Sequence, residues 1–214
     1  EISHDTISNI TDRVIETVEE WQNRPLKKFY TFLFVDCLYV NIRKENETKS
    51  CAVYVILGYD VNGAKDILGL WIGDAEGKHY WMQIFDEIKA RGVEDVLFIS
   101  MDGVSGLEEG ARSIFKDVVV QRCIVHLIRS SVRYIPSKEY KKYTAQLKKV
   151  YGAASLKAAE SEFERFKQSW SQYLGAVDVW VRNWSHVEQL FNYGSAVRKV
   201  MYTTNAIEAV NSSF

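Results

Sequence analysis

The sequence predicts an α/β fold in which a mixed five-stranded sheet is interrupted by an all-helical subdomain. Three observations predict it. After a first helical stretch, β-rich runs follow one another through short polar links. Strand-like and helical runs then alternate, the pattern of a mixed sheet. From Arg129 to Lys199 the texture turns charged and helical, before MYTTNAIEAVNSSF restores small and apolar residues.

Each element has its own signal. Ile7, Ile10, Val14, Val18 and Trp21 recur at helical spacing, and Pro25 stops that helix after Arg24. Residues 29–43, 50–59 and 66–72 are rich in β-branched and aromatic side chains. A polar turn around Glu45 to Lys49 and the pair Asn62-Gly63 join them, so they predict an antiparallel meander. His79 to Arg91 carries Trp81, Ile84, Phe85 and Ile88 at helical spacing and ends at Gly92, a glycine C-cap. Val93 to Met101 reads as the fourth strand, Leu107 to Phe115 as a helix and Val118 to Cys123 as the fifth strand. At least three helices are expected in the insertion, from stretches such as SLKAAESEFERFKQSWSQYL. The expected organisation is an N-terminal helix over 1–26, a core over 27–128, a helical insertion over 129–199 and a final core helix over 200–214. A start at Glu1 and a stop at Phe214 inside a helical pattern predict a segment of a longer protein.

Composition bounds the function. The formal net charge of -1 carries no whole-chain signature of nucleic acid. Its distribution does. Arg129, Arg133, Lys138, Lys141, Lys142, Lys148 and Lys149 face Glu139 alone, with Tyr134, Tyr140 and Tyr143 interleaved. Cations with aromatics between them suit a phosphate backbone with exposed bases, and a solvated helix face explains the charge equally well. Cys37, Cys51 and Cys123 are scattered, which fits reduced thiols in a cytoplasm. No run approaches the ~18 apolar residues of a membrane span.

Two aspartates stand where strands should be apolar: Asp36 within YTFLFVDCLYVNIR and Asp102 at the end of DVLFISMDG. Burying an unpaired carboxylate costs several kcal/mol, so a strand that keeps one is expected to supply a cation. Both therefore read as metal ligands, the alternative being a solvent-facing or turn-capping role. Near the end, Asn205 and Glu208 have the spacing of a capping box.

The stretches ITDRVIETVEEWQNRPL, FVDCLYVNIR, ILGLWIG, GVEDVLFISMDGVSGLEE, QRCIVHLIRSSVRYI, VRNWSHVEQLF and YTTNAIEAVNSSF together resemble the Mutator-type transposases of bacterial insertion sequences. The resemblance covers nearly the whole chain. It implies a ribonuclease H-like fold with a DDE acidic triad, Asp36 and Asp102 matching the aspartates and Glu208 the glutamate. It also implies two Mg²⁺ or Mn²⁺ ions, bridged by Asp36 and flanked by Asp102 and Glu208, for which hard oxygen ligands are suited. The implied reaction is cleavage at element ends followed by strand transfer. The implied partners are the terminal inverted repeats, target DNA and further copies of the protein in a synaptic complex, at the nucleoid of a bacterial cytoplasm. The longer gap, between Asp102 and Glu208, is where the helical insertion falls.

Cys123 and His126 form the family's CxxH motif, for which a supporting role near the acidic residues is expected, since no second ligand pair completes a zinc site. Related transposases with helical insertions stack a tryptophan on an unpaired base, which makes Trp180 and Trp184 candidates for DNA contact; a core role is the alternative. EISHDTISNITDRV resembles the second half of a helix-turn-helix, with His4, Thr6, Ser8 and Asn9 toward the groove, and an ordinary capped helix explains it nearly as well. Two functions from different classes remain: a metal-dependent transposase, whose catalytic segment alone is expected to lack strand transfer, and a truncated or domesticated derivative that binds DNA without catalysis.

Overall fold

The computed structural model describes residues 4–44, 47–73, 78–101, 103 and 106–202, with backbone alone at 4–7, 10, 11, 44 and 47. The elements run α1 (His4–Asn23), β1 (Phe29–Lys44), β2 (Glu47–Tyr59), β3 (Lys65–Gly73), α2 (Lys78–Ala90), β4 (Asp95–Met101), α3 (Leu107–Ile114) and β5 (Val119–Arg122). They continue as α4 (Ile124–Val132), a 3₁₀ turn (Ser137–Glu139), α5 (Tyr140–Tyr151), α6 (Leu156–Ser169), α7 (Leu174–Arg182), α8 (Trp184–Leu190) and α9 (Ser195–Tyr202). The five strands form one mixed sheet in the order β3-β2-β1-β4-β5, so β1 is central. The α/β class and the strand count are those expected from sequence.

The expected meander is present: β1 pairs antiparallel with β2, and β2 with β3. The first hairpin is longer than its hydrophobic pattern suggests, because pairing continues from Phe32 with Tyr59 out to Lys44 with Glu47. Tyr39 to Asn41 and Thr48 to Ser50 are exposed, so burial imprints no alternating pattern on these residues. The second turn forms as Asn62-Gly63 predicts. Gly63 has φ 77, and Asp60 Oδ1 accepts the backbone N–H groups of Asn62 and Ala64 at 2.8 and 2.9 Å.

The chain divides into two compact units, one of residues 1–99 with 104–119 and one of 100–103 with 120–214. In the first, Trp81, Ile84, Phe85 and Ile88 of α2 are buried, and Trp81 meets Tyr54 of β2 edge-on at 4.8 Å. Gly110 lets α3 approach α2: a Cβ there would lie 2.8 Å from the Cβ of Trp81. Gly92, at φ 112, ends α2 as expected, with Val93 N–H reaching back to Ile88 O. On α1 the apolar stripe is not buried as its periodicity predicts, since Val14 and Val18 are 55% and 51% exposed. The anchoring contacts come at its end, where Gln22 Oε1 accepts the Leu70 N–H and Arg24 reaches Asp66 and Ile67 O.

The second unit is built on aromatic packing. Tyr143 of α5 meets Phe166 at 5.4 Å and Trp170 edge-on at 5.0 Å, and Trp170 donates to Gln146 Oε1. Among the described residues, no helix is long and apolar enough to cross a membrane, and no two of the three cysteines form a disulfide.

The turn at Asp60 gives stability a measurable pH dependence. Its carboxyl is held below the ordinary value of 3.8, first by the hydrogen bond from Lys27 Nζ and then by the Ala64 and Asn62 N–H groups. A depressed folded pKa stabilises above the unfolded value and loses that contribution as pH falls through the folded one. Asp60→Asn is therefore expected to lower the urea midpoint at pH 6 and to flatten its decline below about pH 4, measured by urea titration at stepped pH.

Candidate active site and nucleic-acid surface

Asp36 sits on the central strand, opposite Val55 of β2. Leu33, Phe34 and Val35 before it are buried, Cys37 and Leu38 after it are half-buried, and Tyr39 is exposed. The carboxylate thus occupies the last buried position before the ribbon leaves the core, at 4% exposure. Its Oδ1 accepts the Cys37 N–H at 3.1 Å. A desolvated oxygen anion at the margin of a rigid sheet is a suitable ligand for a hard divalent cation.

Asp102 and Glu208 lie outside the described residues, as does the capping arrangement at Asn205. Among the described residues, no three His, Cys, Asp or Glu side chains gather closely enough to hold a metal ion. The neighbours of position 102 are described. Met101 O accepts the Cys123 N–H at 2.6 Å, and Gly103 has φ 97. A Cβ on Gly103 would fall 1.0 Å from Nη1 of Arg122, so that glycine is required both by its backbone and by the guanidinium covering it. Cys123 is buried at the N-cap of α4, and His126 is half-buried in the first turn. Cys123 therefore bears on this segment through its backbone.

Arg129, Arg133, Lys138, Lys141 and Lys142 are all exposed. Along α5 the segregation is clean: Lys141, Lys142, Lys148 and Lys149 are exposed while Tyr143, Leu147 and Val150 are buried. At 3.6 residues per turn the four lysines make one cationic stripe opposite the core stripe. Tyr143 does not interleave with the cations, because it belongs to that core, and burial pushes its phenol up to about 12. Tyr134 and Tyr140 are exposed.

The two tryptophans separate. Trp180 is fully buried and donates Nε1–H to Ser131 Oγ at 3.0 Å, so the expected stacking on a base does not hold for it: reaching DNA would break that bond and open the core. Trp184 is half-buried, stacks on Phe163 at 4.2 Å with an interplanar angle of 1° and donates to Glu188. Ser8 and Asn9 of α1 are exposed, and the side chains of His4 and Thr6 lie outside the described residues. Sequence reasoning missed Arg122, whose role shows only where it covers Gly103; the glycine after Asp102 was the signal, and it reads equally well as a turn.

The Mutator family transposase model matches residues 1–214, so the chain belongs to that family. The chain is 42% identical, over 99% of its length and 54% of the relative's, to a transposase for insertion sequence element ISRM3 from Rhizobium meliloti. It is 38% identical, over 99% of its length and 62% of the relative's, to a probable insertion-sequence transposase from Corynebacterium diphtheriae. A transposase for element IS256 in transposon Tn4001 from Staphylococcus aureus is 30% identical over 77% of the chain and 42% of the relative. The chain spans about half the length of the curated relatives it matches.

Replacing Lys141, Lys142, Lys148 and Lys149 by Gln is expected to weaken binding to duplex DNA of any sequence and to reduce the salt slope by about one for each lysine that meets a phosphate. Affinity measured across a salt series checks this. An unchanged slope would return the stripe to a solvated face.

Proposed function

We propose that this chain carries the catalytic portion of an insertion-sequence transposase, a ribonuclease H-like domain that cuts element ends and joins them to target DNA. The carrying observation is Asp36, a carboxylate kept in the buried part of the central strand of a chain that matches the family from end to end. Strand order supports the same reading, since β1 neighbours β4 and Asp102 is the residue that follows β4.

Asp36, Asp102 and Glu208 would hold two Mg²⁺ or Mn²⁺ ions; an all-carboxylate donor set fits these hard cations and disfavours softer ones. Bound there, two ions supply charge neutralisation at the attacked phosphate, a nucleophile near neutral pH and a stabilised leaving oxygen. Water first attacks the phosphodiester at the element's end and frees a 3′-hydroxyl. That hydroxyl then attacks a target phosphodiester, forming the new P–O bond as the target's 3′-oxygen leaves. The chain's own part would be positioning: β1 pairing holds the strand that carries Asp36, and Cys123 and Arg122 hold Met101 and Gly103 on either side of position 102. The α5 lysines and the neighbouring arginines, with Trp184 at the exposed edge of its stack, would carry the DNA backbone. Two element ends handled together imply more than one copy of the protein.

Asp36→Asn or Asp102→Asn in the full-length protein is expected to abolish end cleavage in Mg²⁺ and leave end binding nearly intact, read by cleavage and mobility-shift assays on the same DNA. Cleavage retained by either variant removes that residue from the site. An experimental structure should place the three carboxyl groups within about 4 to 8 Å of one another, a spacing that two shared ions require. Glu208 more than about 12 Å from both aspartates would favour a DNA-binding derivative without catalysis.

A further inference from the structure

We infer that the groove between α5 and α6 holds the phosphodiester backbone of duplex DNA, with Lys142 and Lys149 as its cations and with Arg165 and Ser169 as the donors that α6 adds. The inference rests on the proposed DNA-processing role and deepens it: it selects which lysines of α5 meet phosphate and brings a second helix into the contact.

The two helices pack through Tyr143 against Phe166, and a cavity of about 530 Å³ opens between them. Lys142, Ala145 and Lys149 of α5 line it at i, i+3 and i+7, one face of that helix, and Arg165 and Ser169 of α6 line it as well. Ala145, between the two lysines, is small and leaves room for a ligand to approach.

The charges suit a polyanion. The lining carries three cations against one carboxylate, Glu162. Lys142 and Lys149 are exposed, and among the described residues neither is in an ion pair. Seven residues place them about 10 Å apart along α5. One strand of a duplex carries a phosphate per about 3.4 Å of axis, so a strand running along the helix meets both lysines. Lys141 and Lys148, each one residue earlier, are turned about 100° from that line.

Several donors are already held in place. The Lys142 ammonium lies 5.8 Å from the centroid of the Trp170 ring, over its face. Gln146 Nε2 donates to Ser169 Oγ at 3.2 Å, which leaves the serine's own O–H to donate to a ligand. Donors ordered beforehand lose little freedom on binding. Arg165 pairs with Glu162 at 2.5 Å while its side chain stays 68% exposed. A guanidinium has more N–H donors than that contact uses, so a phosphate can join it.

Among the described residues the lining holds no aromatic ring, so a base gains no stacking by entering. The contact is therefore with the backbone and independent of sequence.

The test is the affinity of the full-length protein for a labelled blunt duplex, measured by fluorescence anisotropy across a salt series. Lys142→Gln combined with Lys149→Gln is expected to lower the salt slope by about two, and Lys141→Gln combined with Lys148→Gln by clearly less. Arg165→Gln should lower the slope by about one, whereas Lys157→Gln, at an exposed lysine of α6 outside the groove, leaves it unchanged. Ser169→Ala removes a donor and no charge, so it should weaken binding about fivefold at every salt concentration without changing the slope. Melting curves confirm that each variant is folded. Equal losses from the two lysine pairs, or no effect of Arg165→Gln, overturn the groove while leaving the DNA reading in place. Wild-type protein that does not bind the duplex overturns both. Inorganic phosphate that binds as tightly as the duplex, and no longer binds when Lys142 and Lys149 are replaced, assigns the groove to a free anion and also overturns the inference.

Discussion

Burial of one carboxylate in the central strand is the constraint on which the rest of the first unit depends. Taking an ionised carboxylate out of water costs several kcal/mol unless hydrogen bonds and a cation compensate. The sheet accepts that cost at a margin: Leu33 to Val35 are buried, Asp36 comes next, and exposure begins three residues later, at Tyr39. A register slip of one residue would turn Asp36 to the opposite face. The long pairing of β1 with β2 prevents it, because a slip would have to break the ladder from Phe32 out to Lys44. The ribbon, exposed at Tyr39 to Asn41 and Thr48 to Ser50, thereby has a use. It holds the orientation of a side chain at its root.

The second unit uses polar burial differently. Ser131 of α4 donates to Ile128 O and accepts from Trp180 of α7, so a hydroxyl and an indole satisfy each other inside an aromatic core. Such a pair specifies which helix faces meet, since a shifted packing would strand the buried indole N–H of Trp180. Locking α4 to α7 in this way also sets the groove between them, with Tyr134 just past the end of α4 and Gly175 near the start of α7. The buried tryptophan thus shapes a surface it does not itself reach.

The sheet was largely legible in the sequence because its signals are local. Asn62-Gly63 required a positive φ, Gly92 required a C-cap, and Trp81, Ile84, Phe85 and Ile88 required a buried helix face; each is found in place. Less was legible where a pattern admits two environments. The stripe of α1 has the right period and yet Val14 and Val18 are exposed, because periodicity states which residues share a face and not whether anything covers it. Tyr143 looked like its exposed neighbours Tyr134 and Tyr140 because it sits among lysines, but helical phase places it with Leu147 and Val150 in the core. Trp180 and Trp184 lie four residues apart, one sealed by a hydrogen bond and the other stacked near the surface, a distinction that depends on partners far away in sequence. Arg122 carried no signal of its own.

The part of the candidate site that sequence could not express is the clamp formed by two consecutive residues. Arg122 lays its guanidinium on Gly103, and Cys123 donates its backbone N–H to Met101 O. The residues on either side of position 102 are therefore held by adjacent positions at the end of β5 and the start of α4. Any larger residue than glycine at 103 would displace the arginine, so Gly103 answers a packing requirement as well as a positive φ. It follows that the end of β4 is coupled to the start of the helical part of the chain: a displacement of α4 pulls on Cys123, and through it on Met101. The contact that Cys123 makes with the strand end is one of its backbone, and Arg122 before it both covers Gly103 and lines the α4–α7 groove.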